Sequence, residues 1–71
     1  MKTVKEIREA KGLSQEQFAK YLGISRRSYQ GREFKEQAFT IRDIVRASML
    51  NDGLVRIETE DGVFDLKIVE R

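Results

Sequence analysis

Apolar residues recur at helical spacing in four short segments of the first fifty positions. Each segment begins at a Ser or Thr, whose side-chain oxygen can cap the free N–H groups of a helix start. In three segments a Glu, Gln or Asp follows three residues later, as in a capping box. The boxes are Thr3–Glu6, Ser14–Gln17 and Thr40–Asp43. The pattern predicts helices at about 3–11, 14–22, 25–35 and 40–50.

The third predicted helix, SRRSYQGREFK, is polar nearly all round. Tyr29 is its only clear inward anchor before Phe34, and a buried helix does not have this composition. Gly23 ends the second helix as a left-handed residue, so the third helix starts two residues later. The outer face of this helix is therefore either exposed to solvent with no binding role or in contact with a polar partner.

After Asn51-Asp52-Gly53 the apolar period changes from 3.6 to 2, which is typical of β-strands. Asp61-Gly62 lies between two alternating segments and is a strong hairpin signal. We expect an α+β fold, with four short helices followed by a C-terminal two-stranded antiparallel hairpin.

The alternation also predicts a register in which Thr59 lies opposite Phe64. The same register pairs Ile57 with Leu66 and Val55 with Ile68, which makes one face apolar. On the other face it places Arg56 diagonal to Asp65 and Glu58 diagonal to Lys67, which is favourable.

An isolated two-stranded ribbon is marginally stable. We therefore expect the apolar face of the hairpin to pack on helices 1 and 4 or on a second subunit. The candidate dimerisation residues are Val55, Ile57, Phe64, Leu66 and Ile68. Either strand, 54–59 or 63–69, can lie at the two-fold axis.

The length of 71 residues indicates one domain, with a helical region at 1–50 and a hairpin region at 51–71. A domain of this size buries only about 60% of its unfolded surface, so its core is marginal. The chain has no Cys and no His, which removes disulfides and His-Cys metal clusters as sources of stability. Oligomerisation is the remaining common device, and we expect a homodimer.

The charge is distributed unevenly along the chain. Residues 1–35 carry nine Lys/Arg and four Asp/Glu, a net charge of +5, whereas residues 36–71 have a net charge of −3. This asymmetry favours an anionic partner for the first half. No apolar run approaches the roughly 18 residues of a membrane span, and the absence of Cys fits a cytoplasmic protein.

An enzyme is not expected, because the chain has no His or Cys to act as nucleophile, base or soft-metal ligand. Asp61 and Asp65, with Glu60, fit turn and solubility roles. The segment at 51–53 is too short for a calcium loop. We expect no metal, cofactor or small-molecule ligand.

Two short helices joined by a Gly-containing turn describe a helix-turn-helix. The segment LSQEQFAKYLGISRRSYQGRE resembles the phage repressor and Cro (XRE-like) family of DNA-binding domains. The resemblance covers the first helix through Glu33. Five positions carry it, namely Gln15, Ala19, Gly23, Ser25 and Glu33.

The resemblance implies that helix 3 lies in the major groove, helix 2 crosses the backbone, and a dimer reads two half-sites. Arg26 and Arg27 then reach base edges or flanking phosphates, and Gln30 can pair with adenine. Gln15 and the start of helix 2 hold a phosphate. Further candidate phosphate contacts are Ser25, Ser28, Lys20 and Lys35.

Three residues depart from the family's pattern. Tyr29 and Arg32 stand where the family places a smaller aliphatic and an apolar residue. Gly31 lies in mid-helix, which costs about 1 kcal/mol relative to Ala. The resemblance puts Gly31 at a base-facing position, where it allows close backbone approach. Arg32 either contacts phosphate or pairs with Glu33 or Glu36.

Two functions from different classes follow. The first is a sequence-specific transcriptional regulator, a repressor of phage or mobile-element type that binds a pseudo-palindromic operator in double-stranded DNA as a homodimer. The alternative is a protein-binding module, such as an antitoxin, an antirepressor or an inhibitor of a nucleic-acid enzyme. The acidic second half and an exposed strand edge suit this alternative.

Overall fold

The computed structural model describes residues 1–69 and has the expected α+β architecture. Four helices precede a two-stranded antiparallel sheet. The elements are α1 (Val4–Ala10), α2 (Gln15–Leu22), α3 (Arg26–Glu33), α4 (Ile41–Met49), β1 (Leu54–Thr59) and β2 (Gly62–Lys67). Within the described residues, none of the helices is both long and apolar enough to cross a membrane.

The predicted caps start all four helices. The side-chain oxygens of Thr3, Ser14, Ser25 and Thr40 each accept the backbone N–H three residues on. The reciprocal bond is present at the predicted boxes of α1, α2 and α4, so these three capping boxes are confirmed. The start of α3 lacks this second bond, because its third residue is Ser28 and not Glu or Gln.

The core lies where α1, α2 and α4 meet the inner side of α3 and β1. Its fully buried apolar residues are Val4, Ile7, Phe18, Ala19, Leu22, Tyr29, Ala47 and Val55. The ring of Tyr29 packs edge-on against Phe18, with ring centroids 5.3 Å apart, an arrangement that aromatic pairs favour. Tyr29 is therefore the core anchor of α3. Ile41, despite its helical spacing, is 82% exposed.

An ion pair between Arg32 and Asp43 joins α3 to α4. The Arg32 Nη1 atom donates to Asp43 Oδ2 at 2.6 Å, and the Asp43 side chain is almost completely buried. The same carboxylate oxygen accepts the Thr40 N–H at the start of α4. Arg32 thus pairs with neither Glu33 nor Glu36, so the expected pairing was wrong, whereas a phosphate contact by Arg32 stays a prediction. The missing signal is tertiary, because Asp43 lies eleven residues further along the chain.

Two further arginines fasten α4 to α2. Arg46 donates to the Tyr21 carbonyl, stacks over the Tyr21 ring at 5.0 Å, and its own carbonyl accepts the Tyr21 hydroxyl. Arg42 donates to the Leu22 carbonyl at 2.6 Å. Cations near the C-terminus of a helix interact favourably with its dipole. Both arginines of α4 therefore form their hydrogen bonds within the fold.

The predicted hairpin register is wrong by two residues. Thr59 pairs with Gly62 and not with Phe64, so the chain turns on Glu60-Asp61 and Gly62 begins β2. The Thr59 hydroxyl fixes this tight turn, because it accepts the Asp61 N–H and donates to the Gly62 carbonyl. The pairs that replace the predicted ones are Ile57 with Phe64, Val55 with Leu66 and Arg56 with Asp65.

A shift of two residues leaves every side chain on its predicted face, but the two strands are buried unequally. Val55 on β1 is fully buried, whereas Phe64 and Leu66 on β2 are 49% and 39% exposed. Ile57 and Ile68 are half-buried. The apolar face thus packs on the helices through side chains of β1, whereas the apolar side chains of β2 remain exposed.

The Arg32–Asp43 pair gives a stability prediction. Asp43→Ala leaves the Arg32 charge half-buried without a partner and removes the reciprocal bond of the α4 capping box, from the Thr40 N–H to the Asp43 carboxylate. We expect the free energy of unfolding to fall by about 3 kcal/mol, as when one member of a buried pair is removed. Urea unfolding followed by circular dichroism measures it. Asp65→Ala breaks the exposed pair with Arg56 and is the control with little effect; equal losses in both variants would contradict the assignment.

Candidate nucleic-acid interface

The turn between α2 and α3 is short and tightly specified. Gly23 ends α2 at φ 76°, in the left-handed region that favours glycine. The Ile24 N–H closes the turn on the Ala19 carbonyl at 3.0 Å. Ser25 then caps α3, whose Arg26 is the first helical residue. The helix-turn-helix geometry is therefore set by local bonds of the backbone and one serine.

Arg26 and Arg27 project from the first turn of α3 into solvent. Both residues are exposed. Among residues 1–69, neither guanidinium makes a hydrogen bond or an ion pair, unlike those of Arg8, Arg32, Arg42 and Arg46. Each therefore keeps its donors available for an external acceptor.

A chain of side-chain hydrogen bonds lies beneath this turn and joins α1, α2 and α3. Arg8 binds the Glu33 carboxylate through two parallel bonds, Nε to Oε2 at 3.0 Å and Nη2 to Oε1 at 3.1 Å. Gln15 Nε2 donates to the same Oε1 at 3.1 Å, and Gln15 Oε1 accepts from Gln30 Nε2 at 2.9 Å. Gln15 and Gln30, predicted separately from the sequence, are thus brought together.

The Arg8–Glu33 pair is largely buried, with side chains 13% and 2% exposed. Burial alone would raise the pKa of the Glu33 carboxyl, but the hydrogen bonds from Arg8 and Gln15 outweigh it and the pKa is lowered. The bonds from Arg8 and Gln15 therefore favour the ionised form of Glu33. The hydroxyl of Tyr29 is buried near this pair but makes no hydrogen bond with the described residues, and burial raises its pKa.

This network leaves defined hydrogen-bonding groups on Gln15 and Gln30. The Gln15 Nε2 atom has a second hydrogen at the start of α2, where free backbone N–H groups attract anions. Gln30 keeps its Oε1 and one N–H beside the arginines of α3. Both side chains are half-buried and held in one orientation.

The other predicted phosphate contacts differ in their setting. The hydroxyls of Ser25 and Ser28 bond to each other at 2.9 Å, at the α3 N-terminus. Lys20 lies exposed on the last turn of α2, and Lys35 lies exposed just beyond α3. Ser25 and Ser28 thus flank Arg26 and Arg27, whereas the two lysines lie at the far ends of their helices.

The sequence suggested that Gly31 offers an open backbone to a ligand, but the structure does not show one. Gly31 is buried, and the side chain of Gln37 covers it. A Cβ atom at Gly31 would lie 3.5 Å from the Gln37 Nε2 atom. The loop after α3 folds back over the glycine, so the Gln37 side chain occupies the space that a longer side chain at this position would fill.

Sequence reasoning missed three residues of this surface. Arg8 carried no visible signal, since its partner Glu33 is 25 residues away. Phe34 is 64% exposed at the end of α3, although its helical spacing suggested an inward position. Gln37 lies in a loop without a motif, and the only hint of it was the unexplained Gly31.

A comparison with protein families gives a match. The model of a helix-turn-helix family matches residues 4–49, which contain α1 to α4. No curated protein and no solved structure matches the chain.

The lowered pKa of Glu33 gives a pH prediction. Its contribution to stability is fully present above the ordinary glutamate pKa of 4.5 and is lost as the pH falls through the lower pKa of the folded state. Glu33→Gln should therefore flatten the loss of stability below pH 4.5. Urea unfolding at several pH values measures the slope. Glu16→Gln, at an exposed glutamate of α2, should keep the wild-type slope, and an unchanged slope in Glu33→Gln would contradict the prediction.

Proposed function

Because the chain belongs to the helix-turn-helix family of DNA-binding transcription regulators, we propose that it is a sequence-specific repressor of phage or mobile-element type. It acts as a homodimer on a pseudo-palindromic operator. In each half-site α3 enters the major groove and α2 crosses the backbone. The family is typically non-enzymatic, and the proposed activity is recognition alone.

The observation that carries this proposal is the pair of exposed arginines, Arg26 and Arg27, whose donors are unused within residues 1–69. A guanidinium matches the two acceptors of guanine, O6 and N7, in the major groove. The residues that follow on α3 are anchored by Tyr29 and Glu33. The arginines therefore extend from a fixed helix, which lowers the entropic cost of binding.

Around these arginines we assign positioning contacts. The free N–H of Gln15 and the start of α2 bind one phosphate, and Gln30, held by Gln15, contacts the base edge next to it. Ser25 and Ser28 at the start of α3 and Lys20 and Lys35 at the helix ends contact the flanking phosphates. The phosphate contacts fix the position of α3 and carry little sequence information themselves, whereas the base contact of Gln30 adds to the sequence preference.

The dimer forms through β2. The outer edge of β1 is covered in part by the N-terminal segment, since the Arg56 N–H donates to the Lys2 carbonyl at 2.8 Å and Thr3 bridges to Arg56. The outer edge of β2 has no such cover within residues 1–69. An uncovered edge beside apolar side chains is a template for a second strand. We assign the two-fold axis to β2 and not to β1.

Phe64 and Leu66 form the centre of this interface. Both are exposed in the single subunit, and they lie two residues apart on one face of β2. Ile57 and Ile68, half-buried, border them, whereas Val55 stabilises the subunit itself. The subunit measures 27 by 26 by 21 Å, so two copies side by side are wide enough to place their α3 helices one DNA turn, about 34 Å, apart.

The double variant Arg26→Ala/Arg27→Ala tests DNA binding. We expect affinity for an operator selected from random duplex to fall about 30-fold or more, because each guanine contact contributes about 1–3 kcal/mol. Fluorescence anisotropy at two salt concentrations measures it. Lys2→Ala/Lys5→Ala removes the same charge next to β1 and should lose far less.

Two results would contradict the proposal. Equal losses in both double variants would mean that the arginines act only as charges. Wild-type binding weaker than about 10⁻⁴ M to random and selected duplex, the weak limit of non-specific affinity, would favour the protein-binding module.

The dimer has its own test in Leu66→Lys. A lysine at this exposed position should leave the fold intact but place like charges near each other across the axis. Sedimentation equilibrium at micromolar concentration should show a dimer for the wild type and a monomer for the variant. Val69→Lys, at a residue 73% exposed just beyond β2, is the control that stays dimeric; a monomeric wild type would refute this interface.

A further inference from the structure

We propose that Gln37, in the loop after α3, determines specificity. Its side chain lies where a side chain at Gly31 would lie, and it reads a base from there. The inference deepens the proposed function and rests on it. It assigns a base-reading side chain to a residue that lies outside the helix-turn-helix itself.

Gly31 belongs to the DNA-facing side of α3. It follows Arg27 by four residues, so the two positions lie one above the other on the helix surface. Phe34, three residues further, continues the same stripe and is 64% exposed. Tyr29 and Arg32, in contrast, point to the core and to α4. A side chain at position 31 would therefore extend beside Arg27, yet Gly31 has none.

The end of α3 brings the chain back over this position. Lys35 adopts a left-handed conformation with φ 66° and donates its N–H to the Arg32 carbonyl. The N–H groups of Glu36 and Gln37 both donate to the Gly31 carbonyl, at 2.8 and 3.1 Å. The Lys35 and Glu36 bonds form a Schellman motif. The backbone of Gln37 is thus fixed to the residue that its side chain covers.

The Gln37 side chain occupies the space beside Gly31. Its Nε2, Cδ and Cγ atoms lie 3.5, 3.6 and 3.8 Å from the position of a Cβ at Gly31. The residue is exposed, and its carboxamide makes no hydrogen bond with residues 1–69. A free carboxamide presents one acceptor and two donors, which matches the N6 and N7 atoms of adenine in the major groove.

Gly31 and Gln37 together therefore replace a helix side chain. A methyl group at Gly31 fits in ordinary contact with Gln37, but a longer side chain would take the place of the carboxamide. The glycine lowers the stability of the helix, but it leaves room for the Gln37 carboxamide, which the loop supplies to read a base. We expect this group to prefer adenine at one base pair of each half-site.

Selection of bound sequences from random duplex, with wild type and variants in parallel, tests the inference. Gln37→Ala should lose the preference for adenine at one base pair by about tenfold and keep the preferences set by Arg26 and Arg27. Gln37→Glu should move the preference at that base pair toward cytosine. Glu36→Ala, at the neighbouring exposed residue, should keep the preference for adenine.

Each outcome decides one point. If Gln37→Ala, folded by circular dichroism, selects the wild-type operator unchanged, the inference fails and the proposed function stands. A uniform loss of affinity for all sequences would make Gln37 a phosphate contact and would also overturn its role in specificity. If the wild type selects no sequence at all, the proposed function fails and the inference fails with it.

Discussion

The buried ion pair between Arg8 and Glu33 is the interaction on which the recognition surface depends. Helix α3 is so polar that apolar packing alone cannot locate it, since Tyr29 is its only large buried apolar side chain. Glu33 supplies the second anchor through two parallel bonds to Arg8, a geometry with both strength and direction. Arg8 also donates to the Leu13 carbonyl, so one guanidinium joins α1, the turn before α2, and α3.

The arginines of the four helices fall into two groups. Arg8, Arg32, Arg42 and Arg46 are bonded within the fold and stabilise the packing of the helices. Arg26 and Arg27 have no such bonds among the described residues and remain for an external partner. The net charge of +5 in the first half therefore overstates the charge that is available to DNA. The positions of the free arginines matter more than the net charge of the segment.

Local signals predicted the parts of the structure that depend on neighbours in the chain. Ser25 and Gly23 were identified from cap and turn chemistry, and both act as expected. The hairpin register could not be settled by alternation, because a slip of two residues keeps every side chain on the same face. The partner of Arg32 was missed because Asp43 lies on another helix, and that of Gly31 because Gln37 returns over it in a loop without a motif.

In the proposed complex, α3 is held by Arg8 and Glu33 and presents Arg26 and Arg27 to the major groove. The most direct measurement is the change in backbone amide NMR shifts when the protein binds a duplex selected from a random pool. We expect the largest changes at the start of α3 and at the start of α2, near Gln15. Changes confined to the hairpin or to α4, with Arg26 and Arg27 unaffected, would contradict it.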